Sequence, residues 1–351
     1  MLEILTTNLA DRKFWHELIN KSCEILQDIH FSPEYLSIYE KTYGVKAICL
    51  KKTFKTGIIY QPLIIRNIPN TEYNDLTSAY GYGGPLTSIK GSYEIKDLLD
   101  YESDFKQWAK SVNAISEYCM LHPLLSDFQK KLIPKNTCIK YRKKIVNINL
   151  KFDLNKIWSK VEERQRKAIL SARKKGIIVK KSSGNEIEFK EFHKQYLNTM
   201  EDVGANQFWR FPENYFRNCY LSLGRKKVII FKAYDKEKCI ASAIHLYCKN
   251  NLYYHFSCSI REERKKNAMP LLLFESILWA KSMGIKNFHM GGGRTDGEDD
   301  LFTFKKSFGG DTISSFFYCR KLNMEIYDKL TYENLNKNKQ IDKNYFPLYR
   351  A

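Results

Sequence analysis

The chain has 351 residues, enough for about two domains or one large one. Hydrophobic residues make up 43% and aromatics 14%, which excludes a disordered chain, and 17 Gly with 9 Pro exclude a fibrous one. The formal net charge is +19, and Lys130–Lys181 alone holds 18 basic residues against three acidic ones. Such a block strengthens binding to a polyanion in a salt-dependent way, and the alternative is a solvated helix face.

In chain order, helical spacing of Phe14, Leu18, Ile25 and Ile29 predicts a helix over Ala10–Ile29. A short helix follows Pro33 to Lys41. Val45–Lys51 and Gly57–Arg66 read as strands, and Asp75–Tyr80 leads into the loop Tyr80-Gly81-Tyr82-Gly83-Gly84-Pro85. Asp100–Val112 is a helix, Ile115–Leu121 a strand, Asp127–Leu132 a short helix and Cys138–Leu150 a long strand. The second half opens with a basic helix, Lys156–Lys175, stopped by Gly176. Ile177–Lys181 is a strand, followed by helices Glu188–Met200 and Pro212–Leu223. Strands Val228–Tyr234, Cys239–Cys248 and Leu252–Ser259 come next, then helix Leu271–Met283 and strand Asn287–Met290. Leu301–Phe308 is a short helix, Thr312–Leu322 a strand and Glu325–Leu335 a helix. Asn336–Asn344 reads as a loose tail.

A duplication is written into this order. Trp108-Ala109-Lys110-Ser111 recurs as Trp279-Ala280-Lys281-Ser282, each late in a helix and followed by a strand and a Phe/Lys-rich short helix. The expected fold class is α/β (α+β): two copies of one unit, each a mixed sheet flanked by helices. The expected boundaries are 1–150 and 151–335, with 336–351 as the tail.

Nine cysteines without a CxxC pair, or a Cys/His cluster at metal-ligand spacing, predict free thiols, a reducing compartment and no metal. The longest apolar stretch, Met269–Ala280, contains Glu275 and is too short to span a bilayer. With no signal-peptide pattern at the start, a cytoplasmic location is expected. The histidines are scattered and read as structural. No G-x-S-x-G, Walker loop or H-E-x-x-H is present.

Four segments carry candidate chemistry. In Met290-Gly291-Gly292-Gly293-Arg294 a glycine run after a strand can turn its N–H groups toward an anion or a carbonyl; the alternative is a plain loop. Tyr80, Tyr82, Gly83 and Gly84 offer stacking faces, hydroxyls and open main chain, or else a turn with two half-buried tyrosines. Arg166-x-x-Ile169-x-x-Ala172-x-Lys174-x-Gly176 reads, without a family argument, as a basic surface helix. Arg264-Lys265-Lys266-Asn267-Ala268-Met269-Pro270 feeds a helix N-terminus, but it copies the pyrophosphate loop of coenzyme A sites poorly, with Asn267 in place of the first Gly.

The chain resembles the Fem-type (FemABX-like) branch of the GNAT superfamily over about residues 45–322. The resemblance rests on the Arg166–Gly176 helix, Phe211-Pro212-x-x-Tyr215-Phe216, Tyr253-Tyr254-His255, His289-Met290-Gly291-Gly292-Gly293, Asp300-Leu301-Phe302-x-Phe304-Lys305-x-x-Phe308-Gly309 and Tyr82-Gly83-Gly84-Pro85-Leu86. It implies two tandem GNAT-like domains, the first for the acceptor and the second for the donor and the transfer, and a reaction that joins an acyl group to an amine. The expected acceptor is a nucleotide- or lipid-linked amino sugar or muropeptide, with possible contact at the inner membrane surface. The donor is aminoacyl-tRNA or, alternatively, acyl-CoA, and no cofactor is expected. No long inserted coiled-coil hairpin of the kind some members use for tRNA is visible.

Lys305 is the expected catalytic residue, a charged donor to the oxyanion that develops as the amine attacks. No side chain in these motifs is an obvious base. Arg166 and Lys174 are candidates for phosphates, and Tyr80, Tyr82 and Tyr254 for packing on sugar or peptide. Gly83, Gly84, Gly291, Gly292, Gly293, Arg294 and Phe304 complete the candidate binding set. Lys143, Lys144, Arg173 and Lys175 are expected among the tRNA-binding cations. A non-catalytic RNA-binding module remains a third reading.

Overall fold

The computed structural model describes residues 1–88, 94–337, 342 and 345–351. The chain divides into two compact units: Met1–Arg142 together with Ser315–Ala351, and Lys143–Ser314.

The elements, in chain order, are β1 (Glu3–Thr6), α1 (Leu9–Lys21), α2 (Pro33–Tyr43), β2 (Lys46–Thr53), β3 (Ile58–Asn67), β4 (Asn74–Thr77), β5 (Leu86–Thr87), α3 (Ile95–Ser111), β6 (Ala114–Met120), α4 (Ser126–Gln129) and β7 (Cys138–Asn149). They continue as α5 (Leu154–Lys160), α6 (Glu163–Lys174), β8 (Ile178–Ser182), α7 (Glu186–Asp202), α8 (Glu213–Leu223), β9 (Val228–Asp235), β10 (Lys238–Tyr247), β11 (Asn251–Ser259), α9 (Ala268–Ser282), β12 (Asn287–Gly291), α10 (Asp300–Lys306), β13 (Asp311–Lys321) and α11 (Met324–Lys337).

In the first unit the order is β1-β2-β3-β4-β6-β13, with β5 on β3; β4 and β6 run parallel and the other pairs antiparallel. In the second unit the order is β8-β9-β10-β11-β12-β7, and again one pair, β11 with β12, is parallel. The parallel strand follows the WAKS helix in both units. In both, the Trp carbonyl accepts from the Ser hydroxyl at 2.8 Å and from the backbone N–H of the helix C-cap, and the Ala is buried. The two segments close their helices with one geometry.

The expected boundaries move, because each closing strand lies beyond the boundary. Val146–Asn149 of β7 pair antiparallel with β12, so Lys143–Leu150 belong to the second unit. Phe317–Lys321 of β13 pair antiparallel with β6, so residues from Ser315 on belong to the first. Side chains fasten this return. Arg320 Nε donates to Glu117 at 2.7 Å and Nη1 to Glu102 at 2.8 Å, with the guanidinium 4.5 Å above the Phe105 ring. Glu117 is 1% exposed and also accepts from Gln61 at 2.7 Å and from Tyr318.

Three other expectations are corrected. The helix from Ala10 stops at Lys21 rather than Ile29: Ser22 is extended, and its hydroxyl bonds the Leu18 carbonyl and Tyr60. The helix over Lys156–Lys175 is two helices, because Val161 is extended and buried and Arg166 takes the Ser159 and Val161 carbonyls that a continuous helix would have bonded internally. The tail is held where it is described: Tyr349 is buried beside Ile68, Ile115 and Tyr327, and Arg350 pairs with Asp75 and donates to the Asn67 carbonyl at 2.6 Å. Residues 338–341, 343 and 344 of that expected tail lie outside the described residues. No described helix is long and apolar enough to cross a membrane.

Arg320→Met would leave Glu117 charged and buried, a change that costs about 3–5 kcal/mol. The urea midpoint should fall markedly, and adding Glu117→Gln should recover part of the loss. A midpoint unchanged in Arg320→Met would show that the pair does not hold the returning strand.

Candidate functional site

The site in the second unit is built where β11 and β12 part. Their parallel pairing ends at Tyr253–His289, although β11 continues to Ser259 and β12 to Gly291. Tyr254 and the glycine run therefore flank an opening between strands. Gly291 lies at φ 74°, a left-handed conformation that glycine adopts without steric cost, and it turns the chain out of β12. A Cβ on Gly291 would lie 3.5 Å from Lys305 Nζ.

Lys305 comes up from α10. It is 8% exposed and donates from Nζ to the Gly292 carbonyl at 2.7 Å; the Tyr254 ring centroid is 5.5 Å away. Burial pulls its pKa down from 10.5 to about 7, the nearby Lys143 ammonium adds to the shift, and Asp299 opposes it. A large share of Lys305 is a neutral amine at neutral pH, able to take a proton as well as give one.

The loop that follows the glycine run holds the Asp299 carboxylate, which accepts from the backbone N–H of Thr295 at 2.8 Å and of Phe302 at 2.9 Å, and from that of Arg294. These bonds hold the Asp299 carboxyl below its usual range despite partial burial. A Cβ on Gly293 would meet Asp299 Oδ1 at 2.4 Å, and one on Gly292 would meet the Lys144 carbonyl at 2.8 Å. Close packing, not an open cradle, requires these two glycines. Arg294 is exposed, and Phe304 packs edge-on against Phe308 at 5.5 Å, beside the core.

Lys143 and Lys144, expected among the tRNA-binding cations, fasten this loop. Lys143 Nζ donates to the Gly293 carbonyl at 2.7 Å, and Lys144 pairs with Glu298 at 2.8 Å. The Tyr254 hydroxyl donates to Ser257, so its ring rather than its hydroxyl faces Lys305. Arg166 is half-buried and donates to the α5 carbonyls, while Lys174 is exposed at the end of α6.

In the first unit the expected openness of Gly83 and Gly84 is not found. Gly83 bridges Leu121, donates its N–H to the Met120 carbonyl at 2.8 Å and accepts from Gln129 at 2.7 Å. A Cβ on Gly84 would lie 2.9 Å from Gln129 Nε2. Tyr82 is edge-on to His30 and His122, at 5.0 and 4.9 Å, and the Tyr80 carbonyl accepts from the Tyr35 hydroxyl. His30, His122 and Asp28 are buried with potential ligand atoms within 4.8 Å of one another, a set that could hold a metal ion and that sequence spacing did not reveal. His30 Nδ1 lies 2.8 Å from Asp28, and burial pushes the His122 imidazole down to about 4.

The Lys305 burial has a thermodynamic signature. An amine at about 7 in the fold and 10.5 outside it releases its proton on folding between those values, so its contribution to stability rises with pH across that window. Lys305→Met lacks this slope. Its stability relative to wild type should be most favourable at and below pH 7 and should decline toward pH 10.5, as read from urea unfolding at several pH values. A constant difference would mean an ordinary, solvated lysine.

Residues 159–306 match the acetyltransferase (GNAT) domain family. No curated protein matches the chain by sequence. Among solved structures, FemX superposes with a TM-score of 0.70 at 15% identity, covering 93% of this chain and 99% of that one. L-PGS from Bacillus licheniformis gives 0.57 at 11%, covering 90% and 93%, and a tandem GNAT protein from the clavulanic acid biosynthesis pathway gives 0.55 at 8%, covering 92% and 99%. The segment that carries Lys305 and the glycine run thus matches the acetyltransferase (GNAT) domain, and the whole chain shares its fold with FemX and with a tandem GNAT protein.

Proposed function

We propose that the chain forms an amide on an amino group of a cell-envelope glycan precursor, a nucleotide- or lipid-linked amino sugar or muropeptide, using aminoacyl-tRNA in the cytoplasm. The observation that carries the reaction type is Lys305: a buried amine, about half neutral near pH 7, at the parting of β11 and β12 in a GNAT domain. Its bond to the Gly292 carbonyl fixes one N–H and orients the lone pair. The acceptor amine attacks the ester carbonyl carbon, and Lys305 takes the proton that the amine must lose. The C–O bond to the tRNA ribose then breaks, and the same proton passes to the departing oxygen. The first unit, with Tyr80 and Tyr82, is assigned to the acceptor; the second, with Tyr254, Phe304 and Arg294, to the donor end.

Two observations favour tRNA over acyl-CoA. Two of the cations before α9 are engaged by acids: Lys266 with Asp235 and Glu263, Arg264 with Asp202. Asn267, at the helix entry, puts a side chain where the pyrophosphate loop of coenzyme A sites has a glycine. Conversely, Arg164, Lys167 and Lys174 are exposed on α6, and exposed Lys180 and Lys181 lie over the Tyr234 and Trp279 rings. Basic side chains interleaved with aromatics suit a phosphate backbone. Acyl-CoA remains the second reading because the GNAT domain itself favours it.

The test offers an amino-sugar nucleotide to the purified chain with charged tRNA or with acetyl-CoA. Amide product with charged tRNA, turnover lowered about 10²-fold or more in Lys305→Met, and tRNA affinity that falls steeply with salt are expected. Changing Arg164, Lys167, Lys174 and Lys180 to Gln should flatten that salt slope. Turnover with acetyl-CoA, with tRNA bound no better than a random polyanion, would overturn the donor assignment.

A further inference from the structure

Two lysines reach adjacent carbonyls of the glycine run. Lys305 Nζ donates to Gly292 O and Lys143 Nζ to Gly293 O, each at 2.7 Å. The register explains the second contact. Val146 of β7 is paired with Gly291 of β12, so the residues just before Val146 run beside Gly292 and Gly293. The Lys143 stem lies against Gly292, where a Cβ would meet its Cδ at 3.1 Å and its Cε at 3.2 Å. The two amines differ in exposure: Lys143 is half-exposed, whereas Lys305 is buried.

We propose that Lys143 is the positioning residue of this centre: it pins the glycine run from β7 and, as the ammonium that keeps its solvent, holds the Lys305 amine in its uncharged form. Two like charges on neighbouring carbonyls repel, and the proton is given up where water is scarcer. The other charged groups about Lys305 do not reverse this. Asp299 draws a proton toward Lys305, but its carboxylate is bonded to the backbone N–H groups of Arg294, Thr295 and Phe302 and to the Thr295 hydroxyl. Glu298 is paired with Lys144 and lies 4.0 Å from Lys306, and the Tyr254 ring faces Lys305 without a charge. The proposal rests on the reading of Lys305 as proton acceptor for its consequence in catalysis, but not for its own measurement.

The Lys305 titration is read without substrate, by competitive labelling of the intact protein with trace acetic anhydride from neutral to alkaline pH and mass spectrometry of the Lys305 peptide. The wild-type midpoint should lie near pH 7. Lys143→Gln keeps a donor for Gly293 but removes the charge, and Lys143→Met removes both. Each should raise the midpoint by about one unit, and Lys143→Arg should return it to the wild-type value. In a transfer assay the rising limb of the Lys143→Gln pH profile should move by the same amount, so the loss at pH 7 is recovered at alkaline pH; a loosened loop would lower the rate at every pH. A wild-type midpoint in Lys143→Gln overturns the proposal. A raised midpoint with an unmoved transfer profile upholds Lys143 as the tuning charge and removes Lys305 from the role of base.

Discussion

Holding a lysine amine away from water against a main-chain carbonyl is the constraint around which the second unit is arranged. Burial makes the charged form of Lys305 costly there and pulls its pKa down to about 7. Its bond needs the Gly292 carbonyl turned inward, and that turn needs a left-handed Gly291. Gly293 is small because Asp299 crowds it, and Asp299 sits there because it caps α10, the helix that delivers Lys305. The loop, the helix and the amine are thus specified by one another. A change at any of them is expected to act on the Lys305 proton as well as on packing.

The sheets supply the frame for this arrangement. A parallel pair whose strands separate past Tyr253 and His289 leaves Tyr254 and Gly291 on either side of a gap, and the register on each strand's other flank shifts there, skipping His255 against β10 and Met290 against β7. β7 completes the sheet beside β12 and carries Lys143 to the glycine run. The first unit repeats the plan, and its returning strand β13 is locked by the buried Arg320 network rather than by apolar packing alone. Such a network is unforgiving: each carboxylate depends on its guanidinium.

Much of this was legible in the sequence. Period-2 and helical spacing located most strands and helices, and the repeated Trp-Ala-Lys-Ser segment disclosed the duplication because both copies close a helix in one way. Periodicity identifies a strand but not its neighbour, so nothing in Cys138–Leu150 or Thr312–Leu322 said which sheet each would complete. Glycine runs advertise close approach but not what approaches: at Gly293 it is Asp299, and at Gly84 it is Gln129. Lys305 stands out in the sequence by its place after the glycine run, and only the fold reveals its burial. Lys143 was hidden among 18 basic residues. Asp28 and His30 lie two residues apart, and His122 joins them from a distant part of the chain, a separation no short motif could capture.

In the proposed reaction a neutral Lys305 takes the proton of the attacking amine. The most direct test is the pH dependence of kcat/KM for amide formation by the wild-type chain, with an acceptor amine whose own titration is measured separately and divided out. The rate should rise through a midpoint near pH 7 and then level, with that midpoint absent from the residual rate of Lys305→Met. A corrected rate that is flat across neutral pH, or one that falls as pH rises through 7, would contradict that role and leave Lys305 as a charged donor or a purely structural residue.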